Sequence, residues 1–174
     1  MRTKLAAGLV SILLAAPFAA VPAFSAGGGG DSTPECTNGK VWDSTQQKCV
    51  EKSSSLSNDD IYNYGRMLAL NGKYGEAIEV LSLASDKSDP RILNYLGYSH
   101  RKQGRVEVGL GYYEEALKAN PDYTLAREYM GEAYIQLGDV ASARAQLSEI
   151  EKRCGTGCDE YTELSKQIDT YLKS

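Results

Sequence analysis

Four cysteines and one histidine carry the most reactive side chains of this 174-residue chain. Cys154 and Cys158 enclose the short segment Gly-Thr-Gly, whereas Cys36 and Cys49 lie far away in sequence. Reactive thiol pairs are typically spaced Cys-x-x-Cys, so the longer spacing favours a structural disulfide, with a redox pair as the alternative. A metal site would need two further ligands beside Cys154 and Cys158, and we expect no metal.

The single histidine, His100, has no serine or cysteine motif near it, which leaves a catalytic triad with little support. We therefore expect His100 to have a packing role. The sequence predicts neither a catalytic residue nor a cofactor, and we expect a binding protein rather than an enzyme.

The N-terminus has the pattern of a secretory signal peptide. Arg2 and Lys4 precede an apolar run that is shorter than a membrane span, and small residues follow it. We predict a signal peptide over residues 1–26, cleaved after Ala23 or Ala26, and a periplasmic or secreted protein without a transmembrane helix in the mature chain. Removing this segment leaves 17 basic residues against 23 acidic ones, a net charge near −6, which argues against a nucleic-acid partner.

Residues 27–57 form a Gly/Ser-rich linker that contains a Cys36–Cys49 loop. Export to an oxidising compartment favours a disulfide there, worth about 3 kcal/mol in the chain-entropy model. Asn38-Gly39 is a tight-turn signal, and Val41 and Trp42 beyond it are expected to form one arm of a small hairpin. Trp42 either covers the bridge or stacks on a sugar, and the sequence leaves open whether the loop docks on the rest of the chain.

The pattern becomes helical from Ser57 onward. Capping residues, prolines at helix starts and glycines between periodic runs predict seven helices, at about 59–71, 74–85, 90–103, 105–119, 122–137, 139–152 and 159–172.

Two sets of glycines recur at a fixed period. Gly65, Gly97 and Gly131 are separated by 32 and 34 residues, and the turn glycines at 72, 104 and 138 keep the same offsets. A period near 34 with two helices per unit is the mark of a tetratricopeptide-repeat (TPR) array.

The chain resembles that family at further positions: Tyr74, Ala77, Leu81 and Ala84 in the first unit, Leu93, Leu96, Tyr113, Ala116 and Pro121 in the second, and Met130, Tyr134, Ala143 and Leu147 in the third. Arg127 and Ile150 depart from the pattern. The whole chain is also similar to exported alphaproteobacterial TPR proteins that carry a Cys…Val-Trp-Asp…Cys-Val loop. The resemblance implies an all-α solenoid of three helix-turn-helix units, 58–89, 90–123 and 124–157, followed by a capping helix at 158–174 and preceded by the small disulfide-closed loop.

The resemblance also implies that the first helix of each unit lines a concave groove. We expect three rows of side chains to point into it: Tyr62, Asn94 and Glu128; Arg66, Tyr98 and Glu132; and Ala69, Arg101 and Ile135. Such a mixture suits an extended or helical peptide, although the charged residues could instead merely pair with one another on a wet face. Glu128 and Glu132 would repel a C-terminal carboxylate, so a carboxylate clamp is not expected.

These features predict a periplasmic adaptor or assembly factor that binds a protein or peptide partner in the groove. Two alternatives belong to other classes. One is an envelope-anchoring module whose Trp42 loop binds glycan, and the other is a thiol redox protein that uses Cys154 and Cys158.

Overall fold

The computed structural model of the protein describes residues 33–53 and 55–174, so the predicted signal peptide and the glycine tract after it lie outside the described part. Seven helices and one two-stranded sheet occur within that part: β1 (Val41–Asp43), β2 (Lys48–Val50), α1 (Asn58–Leu70), α2 (Tyr74–Leu81), α3 (Pro90–Lys102), α4 (Val106–Ala119), α5 (Thr124–Gln136), α6 (Val140–Cys154) and α7 (Asp159–Tyr171). The predicted helical fold with a disulfide-closed N-terminal loop is therefore confirmed.

Side-chain caps fix the starts of several helices. The Ser57 hydroxyl accepts a hydrogen bond from the Asp60 amide, and Asp89 accepts one from the Arg91 amide ahead of α3. Pro90 is the first residue of α3, where its missing N–H leaves no donor unsatisfied. These caps explain why the sequence signals at Ser57 and Asp89-Pro90 locate the helix starts well.

The three turn glycines end the first helix of each unit in the same way. Gly72, Gly104 and Gly138 have φ of +77°, +81° and +77°, a left-handed conformation in which a Cβ would be strained. The amide that follows each glycine donates back to a carbonyl in the last turn of the helix, as Lys73 does to Leu68 at 2.9 Å. The repeated turns make the helices of each unit antiparallel neighbours.

The helices stack as a solenoid. Consecutive helices pack together along the chain, and α1 also contacts α3, which contacts α5, which contacts α7. No comparable contact joins α2, α4 and α6 in the described part of the chain. Because the odd-numbered helices lie closer together than the even-numbered ones, their side is the inner side of the curve. We call the surface of α1, α3, α5 and α7 the inner face.

Glycines allow close packing within the stack. A Cβ on Gly65 would come within 2.5 Å of Leu81 in α2, and one on Gly97 within 2.7 Å of Tyr113 in α4. Gly131 differs, because its Cβ would meet Leu164 in α7 rather than a residue of α6. The capping helix therefore occupies the place beside α5 that a further repeat would take.

Three helix boundaries differ from the sequence prediction by two or more residues: the end of α2, the start of α5 and the end of α6, which extends to Cys154. Helix α2 ends at Leu81, and the amides of Leu83 and Ala84 donate to the carbonyls of Val80 and Leu81, only three residues back. This early end accounts for the shorter spacing of the first unit. Helix α5 begins only at Thr124, because Asn120 accepts the Asp122 amide in a local turn around Pro121.

The N-terminal hairpin docks on α1. Val41 in β1 is fully buried in the core cluster of the first unit, and the Ser44 amide donates to the Asp60 carboxylate at 3.0 Å. The Asn38-Gly39 turn has the expected positive φ values but precedes β1, whereas residues 44–47 connect the two strands. The sequence left open whether this loop docks on the helices, and the structure shows that it does.

Candidate functional site

Four tyrosines form a connected layer on the inner face. Tyr62 of α1, Tyr95 and Tyr98 of α3, and Tyr129 of α5 make ring contacts with centroid distances of 5.9 Å (Tyr62–Tyr95), 6.1 Å (Tyr95–Tyr98) and 5.0 Å (Tyr98–Tyr129). We call these four residues the tyrosine layer. Tyrosine offers a broad apolar ring together with a polar hydroxyl and loses little entropy when it is fixed, which suits it to binding surfaces.

Basic side chains lie over these rings. Arg91 lies 4.8 Å from the centroid of Tyr62, and Arg66 lies 5.9 Å from that of Tyr95 while its Nε donates to the Tyr95 hydroxyl at 3.1 Å. The exposed Lys102 lies 5.4 Å from the Tyr98 centroid. Such cation–π contacts hold the rings in place, and the guanidinium of Arg91 is also paired with Asp59 and Asp89.

A buried ion pair packs against the tyrosine layer. Arg101 of α3 is 2% exposed and pairs with Glu132 of α5, while its Nε donates to the Tyr113 hydroxyl at 3.3 Å. Burial opposes the charge of Arg101, but Tyr113 and Glu132 raise its pKa overall. Arg101 also lies within 5.7 Å of the ring centroids of Tyr98 and Tyr129, so the pair fixes the layer to two helices.

The structure places the nine expected groove residues on the inner helices, but not all of them at the surface. Tyr62, Arg66, Tyr98, Glu132 and Ile135 are half-buried. By contrast, Asn94 is 0% exposed, Arg101 2% and Glu128 8%, and Ala69 is also buried. Contrary to the expected rows, these four side chains are covered in the free protein, because consecutive inner helices pack directly against one another. Their role in binding a partner stays a prediction.

Several residues of the inner face are not among the three rows of groove residues expected from the sequence. Tyr95 and Tyr129 follow Asn94 and Glu128 by one residue, and both belong to the tyrosine layer. The ring of Tyr123, ahead of α5, lies near Tyr62 and Tyr95, and burial followed by these phenols raises its pKa well above the usual range. An aromatic residue directly after Asn94 and directly after Glu128, two of the three residues of the first row, was the available signal.

Asn94 is the least satisfied polar group of the inner face. Neither its side-chain oxygen nor its side-chain nitrogen has a hydrogen-bond partner, although the residue is completely buried. An unsatisfied buried amide costs about 1–3 kcal/mol. Asn94 lies one and two turns before Tyr98 and Arg101 on the same side of α3, and both of these reach α5 at Tyr129 and Glu132. Asn94 therefore lies on the side of α3 that contacts α5.

Carboxylates collect where α5 meets α7. Burial, and after it the negative charges of Glu132, Glu160 and Glu163, together raise the pKa of Glu128 to about 8, against a smaller opposing effect of Arg101. Thr124 donates to Glu160 at 3.1 Å, and Gln167 donates to Glu132, so α7 runs alongside α5 and closes this end of the inner face. We call the group of Glu128, Glu132, Glu160 and Glu163 the acidic end.

The remaining candidate residues lie away from the inner face or pack within the fold. A disulfide joins Cys154 and Cys158 at the connection from α6 to α7, with a Cα–Cα distance of 5.9 Å. His100 stacks on Tyr112 at a centroid distance of 5.2 Å, and burial followed by the charge of Arg105 lowers its pKa, which agrees with a packing role.

Trp42 is half-buried and lies directly opposite Cys49 in the hairpin register. It packs against the core cluster of the first unit and lines a cavity of about 190 Å³ together with Asp60 and Asn63 of α1. The other bridge, Cys36–Cys49, has a Cα–Cα distance of 5.8 Å. Across the described residues, no helix combines the length and the apolar character needed to cross a membrane.

Comparisons with known proteins identify the repeat. Residues 95–157 match the family model described as tetratricopeptide repeat. No curated protein sequence matches the chain. The Yersinia enterocolitica type III secretion chaperone SycD, in complex with a peptide of the translocator YopD, is 21% identical over 66% of this chain and 88% of that chain, with a TM-score of 0.55.

Two eukaryotic domains are similar to the same extent. The first TPR of Spaghetti (RPAP3), bound to an HSP90 peptide, is 20% identical over 68% of this chain and 94% of that chain, with a TM-score of 0.58. The Sgt2 TPR domain from Aspergillus fumigatus is 19% identical over 67% of this chain and 77% of that chain, with a TM-score of 0.58. At these identities the likeness establishes the fold.

Proposed function

The repeat region of this chain is a tetratricopeptide-repeat array, and on that premise we propose that the protein is an adaptor or assembly factor that binds a peptide segment of a partner protein on its inner face. Two of the structurally similar proteins hold peptides, one from YopD and one from HSP90. Peptide binding is the general function that the fold supports. The residues of this chain indicate the location of the binding surface.

The tyrosine layer is the observation that carries this proposal. Its rings span α1, α3 and α5, and the positive groups of Arg66, Arg91 and Lys102 lie beside them. Tyr95 is itself buried, so a peptide on this surface would contact the half-buried rings and hydroxyls of Tyr62, Tyr98 and Tyr129, with the charge of Lys102 beside Tyr98. Tyr and Arg are the residue types that most often dominate binding energy at protein interfaces.

The predicted signal peptide over residues 1–26 supports action in the periplasm or outside the cell. The Cys36–Cys49 and Cys154–Cys158 disulfides agree with an oxidising compartment. We infer that the partner is exported too, because the two proteins must meet after export.

Affinity capture from a periplasmic extract tests the proposal. The purified protein is compared with a Tyr98→Ala/Lys102→Glu variant, which alters the tyrosine layer but spares the buried Arg101–Glu132 pair. A Val108→Ala/Glu114→Lys variant, changed at two exposed positions of α4, is the matched control. A protein retained by the wild type and the control and lost by the tyrosine-layer variant would support the proposal. Equal recovery by all three would contradict it.

One observation favours a second candidate, glycan binding through the hairpin. The cavity beside Trp42 brings an indole ring together with the polar side chains of Asp60 and Asn63, a combination suited to a sugar. Asp60, however, already accepts hydrogen bonds from Ser44 and Ser57. Retention of the wild type, but not of a Trp42→Ala variant, on purified peptidoglycan would support the glycan alternative.

A further inference from the structure

Two asparagines of this chain are followed directly by glycine, Asn38 in the N-terminal loop and Asn71 at the end of α1. Asparagine is a thermolabile residue, and the backbone nitrogen of a following glycine can attack its side-chain amide carbon because no Cβ hinders the approach. Both asparagines and both glycines are exposed. Sequence and exposure therefore do not distinguish the two pairs, and the hydrogen bonds around each pair decide between them.

The fold holds the Asn71-Gly72 pair in the turn between α1 and α2. The Gly72 amide donates to the Ala69 carbonyl at 3.1 Å, and the Lys73 amide donates to the Leu68 carbonyl at 2.9 Å. For the Gly72 nitrogen to attack, it must lose its proton and the peptide group between the two residues must rotate. This rotation breaks the Gly72 bond, and the Lys73 bond holds the chain against it. The end of the helix thus protects Asn71.

The Asn38-Gly39 pair lacks this protection. Across residues 33–53 and 55–174, no acceptor is bonded to the Gly39 amide, and the Asn38 side chain makes no hydrogen bond. One backbone hydrogen bond spans the turn, from the Lys40 amide to the Thr37 carbonyl, and at 3.3 Å it is long. The Gly39 nitrogen is therefore free to react, and the peptide group before it rotates more easily than that of the Asn71-Gly72 pair.

A cation lies beside the reacting atoms. A Cβ on Gly39 would lie 3.9 Å from Lys52 Cε and 4.0 Å from its Nζ, so the ammonium group lies close to the glycine backbone. Lys52 also pairs with Glu79 of α2, which holds it in place. A positive charge at this distance favours loss of the amide proton and stabilises the anionic oxygen that forms when the Gly39 nitrogen adds to the Asn38 carbonyl. The surroundings of Gly39 therefore favour the reaction.

We propose that Asn38 is a site of spontaneous deamidation and that the fold protects Asn71. The Gly39 nitrogen loses its proton and bonds to Asn38 Cγ, the Cγ–Nδ2 bond breaks, and ammonia leaves with the proton, which produces a succinimide ring. Water then adds to either ring carbonyl and opens the ring to aspartate or isoaspartate at position 38. The two steps together hydrolyse one amide to a carboxylate and ammonium, and water is the co-reactant.

The isoaspartate product would lengthen the backbone of the turn by one carbon atom. On one side of the turn, Cys36 is fixed by its disulfide and by its hydrogen bonds to Tyr64. On the other side, Val41 is fully buried in the core of the first repeat. The longer backbone must fit between these two fixed points, so the modification weakens the contact between the hairpin and α1.

Incubation of the purified wild-type protein in warm, mildly alkaline buffer, followed by proteolysis and mass spectrometry, measures both asparagines in one sample. Conversion of Asn38 should be at least about tenfold faster than that of Asn71, because breaking the hydrogen bonds of the α1–α2 turn raises the barrier. In concentrated urea, where these bonds are absent, the two rates should approach each other. Equal rates in the folded protein, or conversion of Asn38 only in urea, would overturn the proposal.

Detection of isoaspartate tests the succinimide route. An isoaspartyl methyltransferase labels isoaspartate and not aspartate, so the label should appear on the peptide that contains position 38. Asn38→Gln, whose longer side chain closes the ring less readily, should lose this label. After the incubation the wild type should unfold at a lower urea concentration than before it, and Asn38→Gln should not change. Conversion of Asn38 without isoaspartate would contradict the mechanism, and an unchanged urea midpoint of the wild type would contradict the effect on the hairpin.

Discussion

Tyr64 of α1 and Cys36 of the N-terminal loop are joined by two hydrogen bonds. The Cys36 amide donates to the Tyr64 hydroxyl at 2.9 Å, and that hydroxyl donates to the Cys36 carbonyl at 3.3 Å. Lys73–Glu35 and Lys52–Glu79 ion pairs lie around this contact, and Val41 fills the core beneath it. The disulfide-closed loop therefore packs on the first repeat and covers its N-terminal side.

Stability measurements on hairpin variants can test this docking. Val41→Ala should lower the free energy of unfolding by about 2 kcal/mol, since a fully buried side chain loses two methyl groups. Tyr64→Phe should cost about 1 kcal/mol because two backbone partners lose their hydroxyl. Thr45→Ala, at an exposed position of the hairpin turn, should behave as the wild type in urea unfolding. Three variants of equal stability would mean that the hairpin is undocked in solution.

The buried pair of Arg101 and Glu132 can be tested by removing one partner and then both. Arg101→Met should lower the free energy of unfolding by about 3–5 kcal/mol, because Glu132 is then a buried charge without its partner. Changing Glu132→Leu in the same chain should recover much of that loss. Arg144→Met at an exposed site of α6 is the control for losing one positive charge. A double variant that is less stable than Arg101→Met would contradict this account.

Glu128 should make stability depend on pH in a defined direction. Its pKa rises from an ordinary 4.5 to about 8 on folding. Between these values the folded state holds more protons than the unfolded state, so the free energy of unfolding falls as the pH increases, by less than about 1.4 kcal/mol per pH unit. Below the lower value the effect is absent. Glu128→Gln should be less sensitive to pH than the wild type in urea unfolding across this range, and parallel pH profiles would be evidence against the raised pKa.

The buried amide of Asn94 should lower the stability of the folded protein. Asn94→Leu removes an unsatisfied buried amide and should raise the free energy of unfolding by about 1–2 kcal/mol. Asn63→Leu, at an exposed site of α1, should leave the free energy of unfolding nearly unchanged in the same urea titration. A loss of stability in Asn94→Leu would mean that the amide makes a stabilising contact in solution.

The Cys154–Cys158 bridge should be structural. Replacing both cysteines by serine should lower the free energy of unfolding by about 2 kcal/mol, the chain-entropy value for so short a loop, and should leave peptide affinity unchanged. The Cys36–Cys49 disulfide closes a longer loop, so the corresponding Cys36→Ser/Cys49→Ser variant should lower the free energy of unfolding by about 3 kcal/mol. Ready reduction of Cys154–Cys158 in a glutathione buffer would instead favour the redox alternative.

The sequence by itself determines the repeat architecture, because that architecture depends on local and periodic features. Gly72, Gly104 and Gly138 impose left-handed turns, and Ser57 and Asp89 cap helices through bonds within a few residues. Apolar periodicity then requires the amphipathic helices to stack. The observed start of α5 differs from the predicted one because a local side-chain hydrogen bond at Asn120 competes with the helix.

Only the tertiary structure decided which inner-face residues are accessible. Asn94, Arg101 and Glu128 occupy slots that face a groove in the repeat pattern, yet they are buried, because consecutive inner helices pack directly against one another. Burial depends on contacts between residues about 30 positions apart, which helical periodicity does not encode. The same holds for the docked hairpin, and for the raised pKa of Glu128, which arises from desolvation and from carboxylates on two helices.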